Sequence, residues 1–137
     1  MDQVDREILS ILRRDARTPY TEIAEQVGTS EGTVRNRVER LQEDGIIERF
    51  TVAVRTGNVQ AMIEVGVDVN VDTREVGDLM ADWEPVDYVW QVSGEKDIVL
   101  IVDAADTQGV NELISKAREH DDVVSTKTRL ILDETLG

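Results

Sequence analysis

Apolar residues recur with a helical period through the first 45 residues of the chain. Between Ser30 and Asp44 they recur at i, i+4 and i+7, as Val34, Val38 and Leu41, which predicts an amphipathic helix with one buried stripe. Ser30 can cap its first turn, and Gly45 can take the left-handed conformation that ends it.

Two further helical patterns precede this helix. The first runs from Val4 to Leu12, and the second ends at Val27, with Thr18 predicted as its N-cap and Pro19 as its first residue. Only a tight turn fits between the second and third helices, so residues 1–50 are predicted to contain a helix-turn-helix. The run IIERFTVAV after Gly45 predicts a strand that would complete a winged variant of the motif.

The second half of the chain switches to a period of two. A half-buried strand is predicted with inward Val59, Ala61, Ile63, Val65, Val67 and Val69, and outward positions that include Gly66. Next comes a helix that begins with Asp72 and Glu75 as a capping pair and has Val76, Leu79, Met80 and Trp83 pointing inward. Strands at Val86–Val92 and Ile98–Val102, a helix from near Asp106, and a strand at Val123–Leu132 follow.

This order predicts an α+β protein, with a winged helix-turn-helix followed by a ferredoxin-like βαββαβ domain. The expected boundaries are 1–50 for the first domain, 51–58 for a linker strand and 59–137 for the second domain. Ile98–Val102 is apolar on both faces, although two helices cover only one face of such a sheet. We therefore expect a second subunit on the other face.

The charge is unevenly distributed. Residues 1–50 carry 8 basic and 11 acidic residues, whereas residues 51–137 carry 7 and 18, within a net charge of −14. Every cation before residue 50 is arginine, the residue that pairs bidentately with phosphate and guanine. Sparse lysine with abundant carboxylate is typical of a protein that works in molar salt, which points to a halophilic archaeal source.

Several classes of chemistry lack the residues that they need. There is no cysteine, and the single histidine, His120, has no companions at metal-ligand spacing, so we predict no metal site and no cofactor. No serine or threonine has a base to activate it, which argues against an enzyme. The chain shows neither a signal sequence nor an apolar run long enough to span a bilayer, so a cytoplasmic protein is expected.

Three segments together resemble the Lrp/AsnC family of transcriptional regulators. They are DxxDxxILxxLxxDAR at Asp2–Arg17, the following TEIAEQVGTSEGTVRNRVERLQEDGII, and SGEKD before an apolar strand. The resemblance implies a DNA-binding domain joined by a strand to a ligand-sensing domain called RAM. It also implies dimers formed through the RAM sheets, octamers in some members, and control of amino-acid or central metabolism genes in response to an amino acid.

Candidate DNA-binding residues lie on or beside the outward face of the third helix. They are Ser30, Gly32, Thr33, Arg35, Asn36, Arg37 and Arg40. Asn and Arg can bond adenine and guanine in the major groove of double-stranded DNA, so Arg35, Asn36 and Arg40 are the predicted base readers. Arg37 is closer to the core, so it has either a structural role or a contact with phosphate.

The resemblance also places an effector site at the turn that matches the family's Gly-x-x-Asp pattern. Gly94, Glu95 and Asp97 are its candidates, together with Val124 at the start of the last strand. Asp97 can accept hydrogen bonds from an ammonium group, and Gly94 lets backbone amides approach a carboxylate. Alternatively, Gly94 and Asp97 only shape a hairpin, and the apolar Val124 favours an apolar effector or none.

One different function stays open at this point. The acidity could have removed DNA binding altogether, which would leave a metabolite-binding oligomer or a protein-interaction module. The outward arginines of the third helix favour a DNA-binding regulator, because a helix that needed only solubility could use acidic residues there.

Overall fold

In a computed structural model, which describes residues 1–137, the chain divides into two units, Met1–Val54 and Arg55–Gly137. The first unit contains three helices: α1 (Gln3–Arg14), α2 (Tyr20–Val27) and α3 (Glu31–Glu43). Their inward apolar residues form one small core, made of Ile8, Leu12, Ile23, Ala24, Val34 and Val38.

The predicted limits of the third helix are confirmed. The Ser30 hydroxyl accepts a hydrogen bond from the Thr33 backbone N–H at 3.2 Å, which satisfies one of the unpaired donors of the first turn. At the other end Gly45 has a φ of +72°, a conformation that favours glycine, and the chain turns away. Only Gly28–Ser30 separate α2 from α3, so the helix-turn-helix is also confirmed.

Two local predictions for the first unit are wrong. Pro19, not Thr18, is the N-cap of α2, because the Thr18 hydroxyl donates instead to the Asp15 carbonyl oxygen at 2.8 Å. The predicted strand after Gly45 is absent, and with it the wing. A strand needs a neighbouring strand to satisfy its backbone groups, and residues 48–56 belong to no strand of the sheet.

The second unit forms one antiparallel sheet with two helices. Its elements are β1 (Val59–Val67), α4 (Thr73–Ala81), β2 (Val86–Gln91), β3 (Ile98–Ala104), α5 (Thr107–Glu119) and β4 (Val123–Leu130). The strand order across the sheet is β2-β3-β1-β4, so the two central strands are β1 and β3. The predicted ferredoxin-like βαββαβ arrangement is confirmed.

One face of the sheet packs on the helices and forms the core of this unit. Alternate residues of β1 and β3 reach it, among them Ile63, Val65, Ile98, Leu100 and Val102, all with no exposed surface. Val76 and Met80 of α4 and Val110, Leu113 and Ala117 of α5 complete the core. Burying this apolar surface is the main stabilising contribution to the fold.

Several predicted details of this unit are corrected. Val69 is 96% exposed because β1 ends at Val67 and the chain turns. Leu79 is 47% exposed, since α4 presents only Val76, Gly77 and Met80 to the core. Asp72 caps α4 through the Arg74 N–H at 2.9 Å, and Glu75 forms no reciprocal bond. The last strand ends at Leu130 instead of Leu132.

The opposite face of the sheet, here called the outer face, carries no helix. Paired positions define two rows across it: Tyr88, Ile101, Met62 and Arg129, and then Trp90, Val99, Glu64 and Lys127. The β2 side of the outer face is therefore aromatic and aliphatic, and the β4 side is cationic. Trp90 is 49% exposed, although tryptophan is a residue that proteins usually bury in large part.

Candidate nucleic-acid interface and effector site

The exposed side of α3 brings together three of the predicted DNA-binding residues. Gly32, Asn36 and Arg40 follow one another at intervals of four residues and are all exposed. The side chains of Asn36 and Arg40 make no hydrogen bond or ion pair with the protein. Their donors and acceptors are therefore available to another molecule.

Arg35 lies beside this row but has two intramolecular partners. Its guanidinium forms an ion pair with Glu31 one turn earlier and lies over the Tyr20 ring, 5.4 Å from the ring centroid. The hydrogen bond and the charge of Glu31 raise the pKa of Arg35 above its usual value. Arg35 remains mostly exposed, so a DNA phosphate or base could replace Glu31 as its partner.

Arg37 is held on the inner flank of α3 by the start of α1. Its Nη1 atom donates to an Asp2 carboxylate oxygen and, at 3.3 Å, to Asp5 Oδ1. The Asp5 backbone N–H and Arg37 together lower the pKa of Asp2 to about 2. These contacts support the structural role for Arg37, because they tie α3 to α1 within the first unit.

Ser30 and Thr33 are used in the cap of α3. The Ser30 hydroxyl donates to Thr33 Oγ1 at 2.9 Å while it accepts from the Thr33 N–H. A Cβ added at Gly32 would meet nothing within 4 Å, so open space lies in front of the first turn. That space gives a partner access to the N-terminal end of the helix.

The predicted effector turn is bound tightly to β1. Asp97 Oδ2 accepts a hydrogen bond from the Val67 N–H at 3.0 Å, and the Asp97 N–H donates to the Val65 carbonyl oxygen at 3.1 Å. Gly94 has a φ of +121°, which the turn needs and side chains rarely adopt. Asp97 therefore shapes the turn with one carboxylate oxygen, and Oδ1 has no partner in the protein.

Val124 is 66% exposed at the beginning of β4, and the residues beside it form a feature that the sequence interpretation missed. The Lys96 ammonium donates to the Ser125 hydroxyl at 2.7 Å, and both side chains lie over Gly66 of β1. A signal was present in the sequence, since a lone glycine in an alternating strand often marks a bulge or a close approach. The pairing of β1 with β4 does shift register between Gly66 and Val67.

Other parts of the chain offer little chemistry of their own. No group of three or more histidine, cysteine or acidic side chains is arranged to hold a metal ion. His120 ends α5, and its Nδ1 atom accepts a hydrogen bond from the Asp122 N–H at 3.1 Å. None of the helices is both long and apolar enough to cross a membrane.

Comparison with known proteins identifies both units. Residues 1–42 match the AsnC-type helix-turn-helix domain, and residues 60–136 match the Lrp/AsnC ligand binding domain. The chain is 34% identical to the HTH-type transcriptional regulator LysM of Sulfurisphaera tokodaii, over 96% of this chain and 95% of that protein. It belongs to the Lrp/AsnC family.

Solved structures of this family have the same fold. The chain is similar to AsnC of E. coli, with a TM-score of 0.77, 27% identity, and coverage of 100% of this chain and 95% of that one. A feast or famine regulatory protein from M. tuberculosis, complexed with L-methionine, has a TM-score of 0.85 at 23% identity, with 99% and 95% covered. This second likeness is one of fold.

Family membership settles the class of function. The chain is a transcriptional regulator with a DNA-binding helix-turn-helix domain and a ligand-binding domain, and the family and its relatives are regulators and not enzymes. The resemblance found in the sequence is confirmed.

Proposed function

We propose that α3 is the recognition helix and that Arg35, Asn36 and Arg40 contact base edges in the major groove of double-stranded DNA. The observation that carries this proposal is the unpaired state of Asn36 and Arg40 on the exposed side of the helix. An amide and a guanidinium that lie unpaired on one exposed helix face can make bidentate hydrogen bonds, the amide to adenine and the guanidinium to guanine.

Residues at the first turn have a different role in this proposal. Ser30 and Thr33 already hydrogen-bond each other in the cap of α3. They can contact a phosphate only through the hydroxyl donors and acceptors that the cap does not use. Gly32 leaves space for the backbone of DNA to approach the positive end of the helix dipole. Arg37 holds α3 in position through Asp2 and Asp5 and is not a base reader.

We further propose that the ligand-binding domain binds an amino acid at the Gly94–Asp97 turn. Through this effector the regulator would respond to nutrient supply and control amino-acid or central metabolism genes. Oδ1 of Asp97 can accept from the effector's ammonium group while Oδ2 keeps its bond to Val67. Glu95 and Val124 border this position as exposed residues. The L-methionine complex of the M. tuberculosis relative supports an amino acid as the class of effector.

The working form in this proposal is a homodimer joined through the outer faces, with octamers as a further level of assembly. Trp90 on β2 is half exposed, and its neighbour Ile101 on β3 is only partly buried, so this side of the outer face presents apolar surface that no helix of the same chain covers. Such surfaces on a sheet are typical of subunit interfaces. In this proposal the protein acts on chromosomal DNA in the cytoplasm of a halophilic cell, where its net charge of −14 suits molar salt.

A footprinting experiment on the protein's own promoter, in molar potassium chloride, tests the DNA-binding proposal. Wild type should protect a defined site, whereas Arg35→Ala and Arg40→Ala should weaken or lose that protection. Arg74→Ala is the matched control, because this exposed arginine belongs to α4 in the other unit. Unchanged footprints for Arg35→Ala and Arg40→Ala, with the fold intact by circular dichroism, would show that α3 is not the recognition helix.

A further inference from the structure

The Lys96 ammonium is unusual because it lacks an acidic partner in a unit that is rich in acid. Residues 51–137 carry 18 acidic and 7 basic residues. Even so, the side-chain partner of Lys96 is a neutral hydroxyl, Ser125 Oγ at 2.7 Å, and its ammonium belongs to no ion pair. A cation held in this way keeps two donor hydrogens and its full charge for another molecule.

Gly66 makes this arrangement possible. Ser125 is its register partner on β4, and a Cβ at Gly66 would lie 2.5 Å from Ser125 Oγ and 3.6 Å from Lys96 Cδ. The methylene chain of Lys96 therefore packs over bare β1 backbone, and its ammonium is directed to Ser125. Because Lys96 and Ser125 are both half-buried, contacts with the sheet restrict the conformations of the two side chains.

The pair lies beside the proposed effector turn. Lys96 immediately precedes Asp97, whose Oδ2 atom is bonded to Val67 next to Gly66. Val124, the exposed candidate at the start of β4, also approaches this spot, with its Cγ2 atom 3.6 Å from the position of a Gly66 Cβ. One end of the outer face thus offers a carboxylate acceptor from Asp97 and a cationic donor pair from Lys96 and Ser125.

We infer that Lys96 and Ser125 bind a second carboxylate of the effector, and that this regulator therefore responds to a dicarboxylic amino acid or to the corresponding 2-oxo acid. The inference rests on the proposed effector function of the Gly94–Asp97 turn. A ligand with one carboxylate leaves the Lys96 ammonium with only a hydroxyl. A dicarboxylate supplies the charged acceptor, and hydrogen bonds between charged groups are about twice as strong as neutral ones.

The test is calorimetric titration of the full chain in potassium chloride. The ligands are L-aspartate, L-glutamate and 2-oxoglutarate, with L-asparagine, L-glutamine and L-methionine as neutral counterparts and inorganic phosphate as a simple anion. 2-Oxoglutarate lacks the ammonium group from which Asp97 would accept a hydrogen bond. Comparing it with L-glutamate therefore shows whether the natural effector is the amino acid or its 2-oxo acid. At least one dicarboxylate should bind about tenfold more tightly than its neutral amide.

Two variants and one control identify the residues responsible. Lys96→Met keeps the length of the side chain and removes its charge, and it should abolish the tenfold preference. Ser125→Ala should reduce the preference by a smaller factor, since the charge remains. Lys116→Met is the matched control, because it removes an exposed lysine of the same unit from α5, which packs on the opposite face of the sheet. It should keep the preference, and thermal unfolding should show that all three variants are folded.

The outcomes separate this inference from the function on which it rests. If neutral amino acids bind as tightly as the dicarboxylates, or Lys96→Met keeps the preference, the inference is wrong and the effector proposal survives. If phosphate binds as tightly as the dicarboxylates, Lys96 holds any anion and the inference is wrong. If no ligand of the panel binds wild type, the effector proposal fails and the inference fails with it.

Discussion

Arg37 of α3 donates to the carboxylate of Asp2, the residue that caps α1. The contact joins two residues 35 positions apart and links α3 to the start of α1. Asp2 also accepts the Asp5 backbone N–H at 3.0 Å, so a single carboxylate serves both the cap and the ion pair. Of the two roles left open for Arg37 by the sequence, a structural role or a phosphate contact, these contacts favour the structural one.

The Asp2 contacts predict an acid-dependent contribution to the stability of the first unit. The pKa of Asp2 is lowered from 3.8 to about 2, so its stabilising contribution is fully present above about pH 4 and is lost as the pH falls towards 2. Asp2→Asn should cap α1 almost as well but lose the ion pair. Thermal unfolding of wild type and variant should therefore differ above pH 4 and converge as the pH falls through 2.

An equal difference between the two proteins at every pH would contradict this assignment, because a lost cap or a packing change does not titrate. Asp15→Asn provides a control, since Asp15 is an acid at the other end of α1 that makes no ion pair with Arg37. Its difference from wild type should not follow the titration of Asp2.

The Glu31–Arg35 ion pair predicts that Glu31 limits DNA affinity. In the proposed complex, Glu31 would compete with DNA for Arg35, and it would place a negative charge at the end of α3 that faces phosphate. Glu31→Gln should therefore bind the operator about two- to fivefold more tightly, the size expected for losing one exposed ion pair. Arg35→Ala should weaken binding by about 1 to 3 kcal/mol if the arginine contacts a base.

Fluorescence anisotropy with a labelled operator fragment measures both effects. In the double variant Glu31→Gln with Arg35→Ala, the gain from Glu31→Gln should shrink, because the competitor then has no arginine to withhold. A full gain in the absence of Arg35 would mean that Glu31 acts only by repelling phosphate.

Periodicity predicted most of the fold because it reports which side of each element is buried. The stripe of Val34, Val38 and Leu41 and the alternation of β1 from Ala61 to Val65 were both confirmed. The pattern failed where an element needs a partner that the chain does not provide. Phe50, Val52 and Val54 alternate like a strand, but they are exposed and unpaired within the chain.

Side-chain contacts between distant residues were the least predictable part of the candidate site. Arg37 and Asp2 are far apart in sequence, and so are Lys96 and Ser125, so neither pair produces a local motif. Gly66 did carry a local signal of close approach, but its neighbours became apparent only when β4 was placed beside β1. A helical pattern of charged residues does not predict which ion pairs those residues form in the folded protein.

The apolar half of the outer face predicts a dimer that one exposed substitution can weaken. Trp90→Lys should raise the dimer dissociation constant at least about tenfold, because an aromatic residue at the centre of an interface often contributes more than 1 kcal/mol. Trp90 is half exposed within the chain, so folding should survive the change. Val69→Lys, at a residue outside the sheet, should leave assembly unchanged.

Light scattering and sedimentation velocity in molar potassium chloride measure this assembly. Wild type should be dimeric or larger, with Trp90→Lys shifted towards the monomer on dilution. A wild-type protein that stays monomeric at high concentration would contradict the outer-face interface, and equal assembly of both proteins would place the interface elsewhere.

The acidic residues around the arginines of α3 predict an unusual dependence of DNA binding on salt. Proteins that neutralise phosphate normally release counterions, so their affinity falls steeply as salt rises. Here Glu31, Glu39 and Glu43 share α3 with Arg35 and Arg40, and their repulsion of DNA is screened as salt increases. We expect a flat or rising affinity between low and molar potassium chloride, measured by anisotropy on the operator. Replacing the three glutamates by glutamine should restore the steep decline; a steep decline already present in wild type would show that these carboxylates do not govern the interface.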